Sequence, residues 1–194
     1  VQRAPLVVVI AGPNGAGKTT TAPLLLQQAL AVNEFVNADA IALGLSAFRP
    51  EAAAFAAGRA MLARLKVLAS SRVDFAFETT LASRTFAPWL RVLRDQGCHV
   101  HIAFLALPDA DLAVARVQER VRAGGHDVAE PVIRRRFRSG LANFFELYAP
   151  TASSWQVLEN ARRSGPVLVA RGRLGSALSI RDQAAWDNLV ERAR

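Results

Sequence analysis

Apolar positions fall along this chain in two rhythms. An unbroken apolar run covers Leu6–Ala11 and reads as a strand buried on both faces, and mostly apolar runs over residues 73–77 and 98–107 read as two further strands. Between them, apolar residues recur every three to four positions, as on one face of a helix. Such stretches cover 50–70, where Phe55, Met61, Leu62, Leu65 and Leu68 form the stripe, 85–96, where Trp89 and Leu93 are core, and 109–122. Another opens at Pro131 with Ile133, Phe137, Leu141, Phe144 and Tyr148 facing inward, and 181–192 closes the chain. Shorter strands are expected at Phe35-Val36-Asn37, at 155–158 and at 166–170. Strands alternating with helices predict an α/β fold, a parallel sheet covered on both faces. No repeat, low-complexity linker or composition break divides the 194 residues, so one domain is expected over 1–194.

The first strand runs into Gly12-Pro13-Asn14-Gly15-Ala16-Gly17-Lys18-Thr19-Thr20. The spacing G-x-x-x-x-G-K-T between a strand and a helix is a Walker A phosphate loop. Glycines let backbone N–H groups turn inward, and the helix start adds partial positive charge. Lys18 is placed to reach the β- and γ-phosphates of a nucleotide, and the Thr19 hydroxyl to hold Mg²⁺. Pro23 lies inside the following helix and should kink it.

Composition sharpens the assignment. The chain carries 24 basic residues and a net charge of +8, yet only Lys18 and Lys66 are lysines. A lysine at the motif position stands out against that arginine background. A basic balance suits nucleic acid, an anionic membrane surface or a phosphorylated small molecule. No apolar run approaches the ~18 residues of a membrane span. A single cysteine, Cys98, leaves no internal disulfide and fits a reducing cytoplasm; it reads as a small buried residue.

Parallel-sheet enzymes place their chemistry at strand carboxyl ends. Asp39 follows the second strand, and Glu78-Thr79-Thr80 follows the third. Asp39 reads equally as a reacting carboxylate or a helix cap. Glu78 resembles a Walker B acid, able to support Mg²⁺ or contact substrate together with Thr79 and Thr80. His99 and His101 share a strand face, but no third ligand accompanies them, so a partly exposed strand start is expected rather than a metal site. Arg120, Arg122, Arg134, Arg135, Arg136 and Arg138 flank Gly124-Gly125-His126. Helix, glycine break and helix, with arginines on both sides, suit a lid over about 116–140 that closes on a triphosphate.

These strings resemble the short forms of the zeta-toxin-like P-loop kinases. The phosphate loop, Asn37-Ala38-Asp39, Phe77-Glu78-Thr79-Thr80-Leu81, the 120–128 stretch with its Gly-Gly-His and Ile133-Arg134-Arg135-Arg136-Phe137 carry the likeness. It implies a three-layer fold with a parallel sheet of about five strands in the order 2-3-1-4-5. It implies transfer of the ATP γ-phosphate to a hydroxyl, UDP-N-acetylglucosamine being the candidate acceptor, and restraint by an antitoxin protein. Asp39 falls at the family's catalytic base, Glu78 at its substrate-contacting acid, and Arg120 and Arg135 are favoured as its phosphate-stabilising pair. Where short relatives carry Asp-Asn-Ser, this chain has Glu159-Asn160-Ala161.

The expectation is therefore an ATP- and Mg²⁺-dependent kinase of a small hydroxylated acceptor. A nucleotide-dependent nucleic-acid-binding protein and a regulatory ATPase are the alternatives. Against the former, the phenylalanines lie on apolar stripes instead of interleaving with arginine on a strand face.

Overall fold

A computed structural model describes residues 3–125, 127–162 and 164–193. His126, expected in the lid, lies outside the described residues. The chain runs β1 (Leu6–Ala11), α1 (Lys18–Pro23), β2 (Phe35–Val36), α2 (Ala38–Leu45), α3 (Ala54–Ser70), β3 (Phe75–Thr79), α4 (Phe86–Asp95) and β4 (His99–Ala106). It continues through α5 (Ala110–Arg122), α6 (Glu130–Asn143), α7 (Ala149–Thr151), β5 (Ser154–Glu159), β6 (Val167–Arg173), β7 (Ser179–Ile180) and α8 (Gln183–Ala193). Among the described residues no helix is long and apolar enough to cross a membrane.

The sheet order is β2-β3-β1-β4-β5-β6-β7. Its first five strands are parallel and follow the order the resemblance implied. β6 and β7 extend it antiparallel, so among the described residues the sheet has seven strands rather than five. The added pair arises because the chain leaves β5 through a short loop and turns straight back. A parallel return would need a helical crossover.

β1 lies inside the sheet between β3 and β4, with Val7, Val8, Val9, Ile10 and Ala11 fully buried. Alternate side chains feed two cores. Val7, Val9, Phe75, Phe77 and Val100 pack with α3, α4 and α8, while Val8, Ile10, Ala103 and Leu105 pack with α5. Each fully buried side chain of this size stabilises the fold by about 1.5–3 kcal/mol. Cys98 is buried, as expected, and burial pushes its thiol pKa up.

The expected helix over 50–70 opens with a 3-10 turn at Pro50–Ala53 before α3. Its stripe is corrected in part. Met61, Leu65 and Leu68 are buried, but Phe55 and Leu62 face outward and Ala57 takes the inner place. α2 packs against α3 and leaves the Phe55 face open to solvent. Pro23 ends the regular part of α1, and the helix continues as a π-helical segment over Leu24–Ala29. Proline lacks the N–H that α-helical pairing needs, and the wider turn follows it.

α6 is built as the pattern predicted. Ile133, Phe137, Leu141, Phe144 and Tyr148 are all buried, and the last two lie in a π-helical continuation, Phe144–Tyr148. Gly140 lets this helix press on the loop after β3. A Cβ there would lie 2.3 Å from the Thr80 carbonyl oxygen. Asn143 Nδ2 donates to the Leu81 carbonyl at 2.8 Å, and the Tyr148 hydroxyl donates to that of Ser83. The segment carrying Thr79 and Thr80 is thereby clamped from below, with Leu81 held in the left-handed region at φ 56°.

Candidate active site

The phosphate loop is shaped by what surrounds it. Gly12 adopts φ 139°, and a Cβ would stand 2.3 Å from the Leu105 carbonyl oxygen, so β4 leaves no room for a side chain. Gly17, at φ 76°, caps α1, and among the described residues no side chain caps the N–H groups at the helix start. Those donors face the cleft and are suited to an anion. Within the loop, the Ala16 N–H donates to the Pro13 carbonyl at 3.2 Å. Asn14 Oδ1 is buried with no hydrogen-bond partner among the described residues.

Lys18 is only 6% exposed. Its Nζ donates to the Pro13 carbonyl at 2.9 Å and lies 3.7 Å from Glu78 Oε1. Burial pushes the Lys18 pKa below the ordinary lysine value. Glu78 and Asp39 oppose that shift, and Arg120 adds to it. A phosphate placed here would supply the missing counter-charge and favour the ammonium form.

Glu78 links the three strand tips. Its Oε2 accepts from the Thr19 hydroxyl at 2.9 Å and from Asn37 Nδ2 at 2.8 Å. The other end of Asn37 caps α2, Oδ1 accepting from the N–H groups of Asp39 at 2.7 Å and Ala40 at 3.2 Å. Asp39 thus sits in the first turn of α2, exposed at the cleft wall.

The resulting cleft encloses about 450 Å³. Asn14, Gly15, Gly17, Lys18, Thr19 and Thr20 line its floor, with Asn37, Asp39, Glu78, Thr79 and Thr80 on one wall. Arg116, Arg120 and Arg136 line the other. Gly12, Pro13 and Ala16 shape the loop from behind; Gly12 and Ala16 are buried. The Thr19 hydroxyl and Glu78 carboxylate are hard oxygen donors placed side by side, a pair that fits Mg²⁺ completed by phosphate oxygens.

One favoured arginine is corrected. Arg120 lines the cleft, but Arg135 is exposed and does not. A helix turns about 100° per residue. With Ile133 and Phe137 buried, Arg136 comes to the cleft and Arg135 is carried past it. Arg134 is occupied elsewhere, bonding Glu130 at 2.8 Å and Asp111 of α5 at 2.6 Å.

Three further residues were not singled out from the sequence as parts of this site. Arg116 Nη1 donates to the Asn160 carbonyl at 2.6 Å and Nη2 to that of Ala161 at 2.9 Å. Asn160 Nδ2 donates to the Ala16 carbonyl at 2.8 Å. The pair therefore braces the phosphate loop from the end of β5. Asn37 is the third. Each had a visible signal: Arg116 lies one helical turn before Arg120, Asn160 follows a strand end, and Asn37 precedes a helix.

A family profile described as an AAA domain matches residues 7–147, from β1 through the helices α5 and α6, and the chain belongs to that family. Its fold is P-loop-kinase-like. An uncharacterized protein of Haemophilus influenzae is 26% identical over 126 residues, 65% of this chain and 88% of its own length. In structure the chain is similar to one in the AvrRxo1-ORF1:-ORF2 complex with ATP, with a TM-score of 0.76 at 17% identity. That likeness covers 96% of this chain but only 63% of the other. The PezAT chromosomal toxin-antitoxin system of Streptococcus pneumoniae gives 0.64 at 15% identity, covering 98% of this chain and 86% of that one. A gluconokinase of Sinorhizobium meliloti gives 0.53 at 17%, covering 82% and 86%. At these identities the likeness is one of fold.

Proposed function

We propose that this protein is an ATP-dependent kinase that transfers the γ-phosphate to the hydroxyl of a small acceptor. The observation that carries this reading is the shared cleft: a carboxylate, Asp39, faces the same space as the phosphate loop, Lys18 and three arginines.

The loop N–H groups and Lys18 hold the β- and γ-phosphates of ATP. Thr19 and Glu78 would hold Mg²⁺, which would neutralise phosphate charge. Asp39 accepts the proton of the acceptor hydroxyl as its oxygen attacks the γ-phosphorus and the bond to the β-phosphate oxygen breaks. ADP and a phosphorylated acceptor result. Arg116, Arg120 and Arg136 face the charge that spreads over the equatorial oxygens. Thr79 and Thr80, on the clamped loop, present hydroxyls to the acceptor. Residues 116–140 form the lid, and residues 1–194 act as one domain.

UDP-N-acetylglucosamine is the first acceptor to test, and an antitoxin protein the first partner. Both rest on the sequence resemblance. The partner is supported by the toxin-antitoxin system among the structural neighbours. Incubation with γ-labelled ATP, Mg²⁺ and a metabolite extract tests the reading: label should move to a small molecule. ATP consumption that no metabolite accelerates would sink it.

A further inference from the structure

The far end of the sheet carries another cavity, of about 510 Å³. It shares no lining residue with the cleft. Among the described residues, the lining comes from β4, β5, β6, β7 and the turn between the last two, and no helix contributes to it.

Strand register sets its side chains in rows. His101 lies opposite Ser154, and Ser154 opposite Arg173. One step along, Gln156 lies opposite Arg171. With strands ~4.8 Å apart, the first row spans ~10 Å. The other face of these strands is apolar, with Val100, Ile102 and Val157 buried. So the sheet here has one core face and one face of hydrogen-bonding groups.

The two histidine rings converge on a single hydroxyl. His99 Nε2 and His101 Nδ1 each lie 2.9 Å from Ser154 Oγ. A hydroxyl donates only once, so at least one ring N–H must donate to it. When both do, the Ser154 proton is free to point into the cavity. Arg171 and Arg173 stand two residues apart on the same strand face, exposed, and their guanidinium groups make no hydrogen bond or ion pair among the described residues. Among the described residues, no acidic one lines the cavity.

We propose that this cavity binds the dianionic phosphate group of a small phosphorylated metabolite, at a site separate from the phosphate loop. Two guanidinium forks from adjacent rows grip a tetrahedral oxyanion, and the Ser154 hydroxyl donates a further hydrogen bond. A cation is disfavoured by both arginines.

The site is coupled to protons. Burial holds His101 at about 4, and His99 further repels it. Burial and the Arg173 charge hold His99 below its ordinary value. The β1 neighbours on the other side of β4, Leu6 and Val8, are apolar, and Ser154, Gln156 and Ser179 are uncharged. An anion that neutralises Arg173 therefore raises the His99 pKa, and anion affinity rises as pH falls.

Sulfate is the suitable probe, because its charge is constant between pH 5 and 8; inorganic phosphate is the second. Ring resonances of His99 and His101 are followed by NMR in the full chain, in Lys18→Ala, and in the double variant Arg171→Gln/Arg173→Gln. The expected result is saturable shifts of both rings that survive Lys18→Ala, strengthen as pH falls, and weaken roughly tenfold in the double variant. Ser154→Ala, which keeps the charges, should weaken binding less. Shifts lost in Lys18→Ala, or unchanged in a folded double variant, overturn the proposal. So does saturation by a generic oligonucleotide with no response to sulfate or phosphate.

Discussion

Asn37 and Glu78 are joined by a 2.8 Å hydrogen bond from Nδ2 to Oε2, and that same oxygen accepts from the Thr19 hydroxyl. One amide therefore sets the carboxylate beside the phosphate loop and, through its Oδ1, starts the helix that carries Asp39. Asn37→Ala should cost about 0.5–2 kcal/mol through the lost cap. Turnover should fall more than that loss of stability explains, since Glu78 and Asp39 are both released. Asn37→Asp keeps the cap but places a second carboxylate against Glu78. Thermal melts and kcat measured on both variants separate the two roles. Equal activity in all three proteins would refute the positioning role.

Asp39→Asn should leave ATP binding nearly intact and lower turnover by roughly 10²–10⁴. Titration calorimetry with ATP and single-turnover phosphoryl transfer measure the two separately. Unchanged turnover rules Asp39 out as the base.

The arginines make a paired prediction. Arg136→Ala should lower kcat more than it raises KM for ATP, as expected for a contact that strengthens in the transition state. Arg135→Ala, on the exposed side of the same helix turn, should behave as the parent enzyme. The reverse ranking would show that Arg135 rather than Arg136 meets the transferring phosphate.

Gly140→Ala tests the clamp under Thr80. The added methyl meets a carbonyl oxygen at 2.3 Å, so α6 or the loop must move. Overpacking of this kind costs typically about 1–3 kcal/mol. Because the loop lines the cleft, KM for the acceptor should rise while ATP affinity changes little. A variant as stable as the parent would mean the contact is slack.

His101 should make the protein acid-sensitive. Its pKa is held at about 4 in the fold by burial, against an ordinary 6.5. Between these values the unfolded chain binds more protons than the native one, so stability rises with pH through that window. The contribution is present above pH 6.5 and lost as pH falls toward 4. It amounts to about 3 kcal/mol at most. Denaturant melts of the parent and His101→Gln at pH 4, 5.5 and 7 check this, and the variant should lose less stability on acidification.

Much of this protein was legible without coordinates where a local pattern suffices. The β-branched run of Leu6–Ala11 can be satisfied only by full burial, and glycines spaced around Lys18 dictate a loop that presents backbone donors. Carboxylates at strand ends, Asp39 and Glu78, were visible for the same reason. What required the assembled fold was everything set by direction or by distant partners. Arg135 and Arg136 are adjacent, and only the burial of Ile133 and Phe137 decides which one reaches the cleft. Phe55 belongs to an apolar stripe on paper but faces solvent because α2 covers a different side of α3. Asn160 and Ala16 lie 144 residues apart, and their bond exists only because β5 ends beside the phosphate loop. Residue chemistry and short-range geometry are written in the order of the chain; which side chains meet across it is settled by packing.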